Sequence, residues 1–387
     1  MRVGAGLSDD PDPTTGAAVA ARQAAHALAG AEADLAIVFA SGAHLAAPEE
    51  TVAAIQAALM PGTLVGCGAG GVLGGARELE DGTGVAVWAA SLDHGGEALA
   101  FHATVRSEDE EVGVLEGLPE VGVEDAVVML ADPYSFPTDA VLGGIAEAAP
   151  GVPVLGGISS GRAPLGGAVL FSGDEVREEG AVGVRLRGVE LLPCVSQGAA
   201  PLGREMTITA AESNVIYELA GRPAVQAIEE AVAEMPLDER ALVAAGLLIG
   251  VVIDGGKPEY EQGDFLVRGV TGADPETGAI SVGTAVTPGE VVRLHARDAR
   301  SAHDDLQREL RLRAAAIGGQ RPAGALVFSC NGRGQSMFGA RDHDATLVQD
   351  ELGAPPAAGF FAAGEIGPVG GRSFLHGFTA TLAVFPS

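Results

Sequence analysis

Apolar runs and polar turns follow one another along this chain in an order that occurs three times. Each stretch has an apolar strand, a polar turn, a helical segment, a second strand ending in glycines and a further apolar strand. The three stretches begin with the apolar runs 34–39, 125–130 and 324–329. Because a recurring order of elements indicates internal repetition, the pattern predicts a degenerate repeat of a βαββ-like unit.

The predicted strands are apolar on both faces, which is typical of strands covered by helices or by a second sheet. We therefore expect an α/β (α+β) protein with mixed β-sheets flanked by helices, and an αββα sandwich is one arrangement that fits. Between the second and third repeats, the pattern predicts a helix over 214–224 capped by Ser213, hairpin strands over 260–300 and a helix over 300–317.

The length of 387 residues favours two domains that each bury a core. A change of pattern near residues 190–205 places the boundary between them. The sequence therefore predicts one domain over 1–200 and a second over 201–387.

The charge balance restricts the partners of this chain. With 23 basic and 52 acidic residues the net charge is -29, which repels the phosphate backbone and argues against nucleic acid as a partner. The amino terminus shows no secretory pattern, and the longest apolar run, 241–253, is shorter than the roughly 18 residues of a membrane helix. We therefore expect a cytoplasmic protein without membrane insertion. The acidic run 108–111 predicts a solvated loop or a helix start.

The side chains with the most chemical potential lie beside glycine-rich turns in the third repeat. They are Cys330, Asn331 and Arg333 after one strand, and Gly364 and Glu365 after another. Backbone amides in such turns can approach a ligand closely. Because Arg333 can hold a carboxylate through two parallel hydrogen bonds and Glu365 can hold an ammonium, the pair suits a zwitterionic ligand.

Two alternatives remain open at this point. Cys330 could act as the nucleophile of a thiol-dependent hydrolase or transferase, which also needs a base and an orienting group. His343 or His376 could be that base, although nothing in the spacing requires it, and Asn331 or Asp342 could orient the base.

In the second alternative, Arg333 and Glu365 pair with each other and the chain is a structural interaction module. The triplet Asp342-His343-Asp344 predicts a solvated turn before a helix rather than a metal site, because neighbouring side chains point in different directions. Cys67, Cys194 and Cys330 are too far apart for a CxxC metal motif, and we expect thiols. No cofactor is predicted.

Several motifs together resemble the FIST family, named for F-box and intracellular signal transduction proteins. They are the glycine-rich turn 66–71 in the first half and, in the second half, the segments 215–224, 265–270, 297–298, 329–334 and 360–367. The resemblance implies a sensory domain that binds small ligands, with amino acids and their derivatives as the proposed class. It also implies signalling output, for which we expect a separate partner protein.

Overall fold

A computed structural model describes residues 1–109 and 112–387 of the chain. Glu110 and Glu111 of the predicted acidic loop lie outside the described residues. The described residues form eight α-helices and four β-sheets, which confirms the α/β class with mixed sheets.

The chain folds into two compact units. The first compact unit contains residues 1–195, 307–375 and 380–387, and the second contains residues 196–306 and 376–379. The first unit therefore combines the amino-terminal half of the chain with the third repeat. The predicted boundary near residue 200 divides the sequence into two consecutive domains, whereas each compact unit combines separate stretches of the chain. The predicted domains therefore stay a prediction.

Three sheets form the first compact unit, with strands numbered along the chain and named in their spatial order within each sheet. The first sheet consists of β1 (Arg2–Ser8), β6 (Gly84–Ser91), β2 (Leu35–Ser41), β3 (Thr63–Gly68), β11 (Leu170–Ser172) and β12 (Glu175–Arg177). The second consists of β8 (Val112–Glu116), β7 (Glu97–Asp109), β13 (Ala181–Arg187), β9 (Asp125–Ala131), β10 (Val154–Ile158), β24 (Glu365–Val369) and β25 (Arg372–His376). The third consists of β14 (Leu192–Gln197), β26 (Thr379–Phe385), β22 (Gly324–Cys330), β23 (Ala357–Ala362), β4 (Val72–Gly74) and β5 (Arg77–Leu79).

The helices are likewise numbered along the chain. They are α1 (Pro13–Ala27), α2 (Pro48–Leu59), α3 (Thr138–Ala148), α4 (Ala224–Glu234), α5 (Leu237–Ala245), α6 (Ala299–Ala316), α7 (Gln335–Phe338) and α8 (His343–Leu352), with a 3-10 helix at Gly42–Leu45. Helix α6 confirms the helix predicted over 300–317. None of the described helices has a stretch long and apolar enough to cross a membrane.

The predicted repeat is confirmed by strand pairing, except that the last strand of the second repeat is β13, whereas the strand predicted over 167–171 forms the hairpin strand β11. In each repeat the first and second strands are parallel and the last strand is antiparallel to the first, which gives the orders β6-β2-β3, β13-β9-β10 and β26-β22-β23. A hairpin follows each second strand and joins the sheet of another repeat: β4–β5 pairs with β23, β11–β12 with β3, and β24–β25 with β10. Each sheet is thus completed by a different repeat.

All three sheets contribute side chains to one hydrophobic core. Near its centre the ring of Phe39 stacks on Phe360 with 5.0 Å between centroids, and Phe328 meets Phe39 edge-on at 6.3 Å. Helices α1 and α2 pack against the first sheet in one apolar cluster, and α3 packs against the second sheet in another. The strands of the third repeat thus form a third sheet, one more than an αββα sandwich has.

A closed sheet forms the second compact unit. Its spatial order is β15 (Ala199–Glu212), β21 (Val291–Arg297), β18 (Leu247–Val252), β19 (Phe265–Ala273), β20 (Ile280–Val282), β16 (Val215–Leu219) and β17 (Arg222–Pro223). Since β16 also pairs with β15, the strands from β15 to β16 close into a barrel. The hairpin strands predicted over 260–300 are confirmed as β19, β20 and β21.

The helix predicted over 214–224 is wrong, because this segment forms β16 and β17. Its β-branched and aromatic residues, Val215 to Tyr217, favour a strand. Ala220 and Gly221 then adopt positive φ angles of 51° and 75°, as a two-residue hairpin turn requires. The helix α4 begins only at Ala224.

Candidate functional site

Glycine-rich turns from all three repeats meet in the first compact unit. The Gly70 amide, after β3, donates a hydrogen bond of 2.9 Å to the hydroxyl of Ser160, after β10. That hydroxyl donates in turn to the carbonyl of Phe361 in β23, and the Asn331 amide donates to the Ala362 carbonyl at 2.9 Å. The candidate site is predicted from residues of the third repeat alone, and in the structure residues of the first and second repeats also lie beside it.

Gly364 and Glu365 lie where the second and third repeats join. The Gly364 carbonyl accepts a hydrogen bond of 2.8 Å from the Ile158 amide, and the Ala363 amide donates to the Ile158 carbonyl at 3.0 Å. Glu365 opens β24 opposite Gly157, and its side chain is fully buried. These contacts fix the position of the Glu365 carboxylate in the interior.

Asn331 presents its side-chain amide at the protein surface. The residue is exposed, and its Oδ1 atom lies 3.9 Å from the point where a β-carbon on Gly70 would stand. Because Gly70 carries no side chain, the space in front of the Asn331 side chain stays open. A small polar group can therefore approach that side chain between the two turns.

Cys330 ends β22 and is 9% exposed. Its sulfur accepts a hydrogen bond of 3.4 Å from the Gly332 amide. Cys67, near the end of β3, is fully buried, and burial raises the pKa of its thiol above the ordinary value.

Arg333 binds Asp344 rather than offering its two-pronged face to a ligand. The Arg333 Nε donates to Asp344 Oδ2 at 2.7 Å and Nη2 donates to Oδ1 at 2.9 Å. Both side chains are 1% exposed, and the guanidinium lies 5.1 Å from the centre of the Phe338 ring. The predicted bidentate grip on a ligand carboxylate is corrected accordingly, since Asp344 occupies that face.

Electrostatics keeps this buried pair charged. Burial by itself would raise the pKa of Asp344, but the adjacent guanidinium outweighs it and holds this pKa well below its ordinary value. Burial opposes the charge of Arg333 in the same way, yet Asp344 chiefly, with Cys330 and Glu365, raises the pKa of the guanidinium. Asp344 also accepts from the Ser329 hydroxyl at 2.8 Å. The solvated turn predicted for this aspartate is therefore wrong, because the residue sits buried beneath its arginine.

One nitrogen of the buried guanidinium lacks a hydrogen-bond acceptor in the described part of the chain. Arg333 Nη1 has no hydrogen-bond partner among the described residues. The Glu365 carboxylate is close enough to stabilise the charge of the guanidinium. Because an unsatisfied buried donor costs about 1–3 kcal/mol, Nη1 is the polar atom of this ion pair that the described residues leave unsatisfied.

A further carboxylate, Glu78 of β5, lies close enough to Asp344 for the two charges to repel each other. Its Oε1 accepts from the Ala345 amide of α8 at 2.8 Å, and its own amide donates to Asp342 at 2.6 Å. Burial, followed by repulsion from Asp344, raises the pKa of Glu78 to about 8. Sequence analysis missed this residue, because nothing in a short strand of the first repeat indicates contact with α8 of the third.

His343 is oriented by Asp344, a residue that was not predicted for this role, whereas Asn331 and Asp342 were. Its Nδ1 lies 2.9 Å from Asp344 Oδ1, and its ring stacks on Phe338 with 3.5 Å between centroids. His376, the other predicted base, is the last residue of β25 and is buried. No group of three or more His, Cys, Asp or Glu side chains suited to a metal ion occurs within residues 1–109 and 112–387.

Comparison with known proteins gives matches along nearly the whole chain. The FIST N domain family model matches residues 34–222, and the FIST C domain model matches residues 224–368. The chain is 43% identical over 385 residues to "Uncharacterized protein Rv0628c" of Mycobacterium tuberculosis, covering 100% of both chains. It is 41% identical over 385 residues to "Uncharacterized protein Mb0898c" of Mycobacterium bovis, covering 100% of this chain and 99% of the relative.

Removal of the Arg333 side chain should destabilise the protein strongly. Arg333→Ala leaves the buried Asp344 carboxylate without its cation, and we expect the free energy of unfolding in urea to fall by about 3–5 kcal/mol. The double variant Arg333→Met, Asp344→Leu removes both charges and should recover most of that loss. Arg77→Ala, which breaks an exposed pair with Asp9, is the matched control and should change little. Equal losses in the single and double variants would contradict a buried charge pair.

Glu78 should make stability fall as the pH rises. The folded state holds the Glu78 proton up to a pKa of about 8, whereas the unfolded chain releases it near 4.5. Between these pH values the unfolded chain is stabilised by ionising and the folded state is not, so the free energy of unfolding falls. Urea unfolding between pH 5 and pH 8 should therefore show a decline that is smaller in Glu78→Gln. Every other ionisable group is common to the two proteins, so the difference between their pH profiles isolates Glu78. Parallel pH profiles would show that Glu78 has an ordinary pKa.

Proposed function

The chain belongs to the FIST family of sensory, signal-transduction domains, and from this premise we propose that it senses a small polar ligand in the cytoplasm. The proposed ligand is an amino acid or an amino acid derivative. The proposed site consists of Cys330, Asn331, Arg333, Gly364 and Glu365. The observation that carries the proposal is the buried Nη1 atom of Arg333, which has no acceptor among the described residues.

Each end of a zwitterion finds an opposite charge in this arrangement. Arg333 Nη1 donates to one carboxylate oxygen of the ligand while Asp344 keeps the other face of the guanidinium. Glu365 accepts from the ammonium group. The Asn331 side-chain amide, which has both donors and an acceptor, receives the remaining polar groups at the surface. With a net charge of -29 on the chain, a fixed cation is needed to hold a carboxylate at this site.

We propose binding rather than thiol chemistry because of the setting of Cys330. Its side chain is buried, and its sulfur accepts from the Gly332 amide. This contact makes Cys330 part of the turn that positions Asn331 and Arg333. Gly364 has a similar supporting role through its carbonyl.

The signal would pass through α7 and α8 to a separate partner protein. Arg333 contacts Phe338 at the end of α7 and Asp344 at the start of α8. The first amide of α7, that of Gln335, donates to both oxygens of Glu80 at 2.9 Å. A ligand held by Arg333 therefore stabilises the position of both helices, which supports a change in the surface that they present.

A thermal-shift panel of free amino acids tests the proposal. At a concentration about 100-fold above its Kd, a ligand adds about 2.7 kcal/mol of stability, and we expect a rise in Tm of about 2–4 °C or more. Asn331→Ala and the isosteric Glu365→Gln should reduce the shift. Gln226→Ala removes an exposed amide from α4 in the second unit and serves as the matched control with the shift retained.

Two outcomes would count against this function. The first is the absence of stabilisation by every amino acid at millimolar concentration. The second is a stabilising ligand whose effect is equal in the wild type, Asn331→Ala and Glu365→Gln, which would place binding elsewhere.

A further inference from the structure

A cavity lies in the first compact unit along one face of α3. Its volume is about 740 Å³, within the range of about 300–1,000 Å³ that is typical of small-molecule sites. It is lined by the apolar side chains of Leu115, Leu118 and Val121 and, from α3, by Val141, Ile145 and the backbone of Gly144. It shares no lining residue with the site around Arg333.

The shape of this cavity is set by fixed elements. Val141 and Ile145 belong to the buried cluster that holds α3 on the second sheet, so the floor is part of the core. A β-carbon on Gly144 would meet no atom within 4 Å, which leaves the space above the helix open. Pro119 and Pro137 also line the cavity, and their locked φ angles restrict movement of the lining backbone.

The negative charge of the protein near the cavity restricts the charge of the molecules that can bind there. Glu120 is the one ionisable side chain among its described lining residues, and the residue is exposed. Since this carboxylate and the net charge of -29 repel anions, an anionic amphiphile is disfavoured. An uncharged or cationic molecule places its hydrocarbon body against the apolar walls without that penalty.

We propose that this cavity is a second binding site, which takes an uncharged or cationic hydrocarbon-rich small molecule. The volume of about 740 Å³, which is in the range of small-molecule sites, supports a small molecule rather than a second copy of the chain as the occupant. The site is independent of the polar ligand proposed above. Either proposal can therefore fail without the other.

Titration with N-phenylnaphthylamine, a neutral apolar dye, tests the cavity directly. We expect a saturable rise in fluorescence with one dye per chain. Gly144→Leu fills the space beside α3 and should weaken binding by about tenfold or more, because the side chain takes the apolar surface from the dye. Glu147→Leu adds the same side chain to an exposed position of the same helix outside the cavity lining and should leave binding unchanged. Circular dichroism confirms folding, and Ala148→Leu, another lining position, replaces Gly144→Leu if that variant misfolds.

Competition between the dye and charged amphiphiles measures whether the cavity prefers a cationic or an anionic ligand. Decylamine should displace the dye at a lower concentration than decanoate, and Glu120→Gln should narrow that difference. Dye binding that does not saturate, or that is equal in the filled variants and the wild type, would overturn the proposal. So would a dimer in sedimentation that Gly144→Leu dissociates, because a second copy would then cover the cavity.

Discussion

Each sheet of the first compact unit is completed by a hairpin from another repeat, and this exchange is the constraint on which the rest of the structure depends. A β-sheet edge with unpaired amides and carbonyls must be covered, and β4–β5, β11–β12 and β24–β25 each cover an edge in a different repeat. The exchange links the three sheets around one core. It also brings their glycine-rich turns together, which is why the Ser160 hydroxyl bridges Gly70 and Phe361 although these residues are far apart in the sequence.

Within that frame, the ion pair of Arg333 and Asp344 organises the candidate site. Two charges taken out of water are stable only when their geometry is good and their remaining polar atoms are satisfied. Asp344 meets this condition through Arg333, Ser329 and His343. Arg333 meets it in part, since two of its nitrogens bind Asp344 and Nη1 has no partner among the described residues. The pair thus fixes the position of one buried donor, Nη1, which we propose as the atom that recognises the ligand.

The sequence predicts the repeated unit, the mixed sheets and helix α6, because these depend on local apolar patterns. It also indicates Cys330, Asn331, Arg333, Gly364 and Glu365 as neighbours, since they follow adjacent strands of one repeat. The partner of Arg333 was missed because Asp344 stands in a polar triplet that has the pattern of a solvated turn. Glu78 was missed because the hairpin exchange, which no local pattern reveals, carries it to α8. The strand β16 is not predicted because the spacing of its apolar residues also fits a helix, although its β-branched residues favour a strand.

In the proposed binding mode, Arg333 donates to Asp344 through Nε and Nη2 and to the ligand through Nη1. A crystal structure of the protein with the amino acid that stabilises it most tests this division of the guanidinium directly. We expect a ligand oxygen within hydrogen-bond distance of Nη1 and an Arg333–Asp344 pair that is still bidentate. Ligand density away from Nη1, or a ligand carboxylate that displaces Asp344 from the guanidinium, would contradict this binding mode.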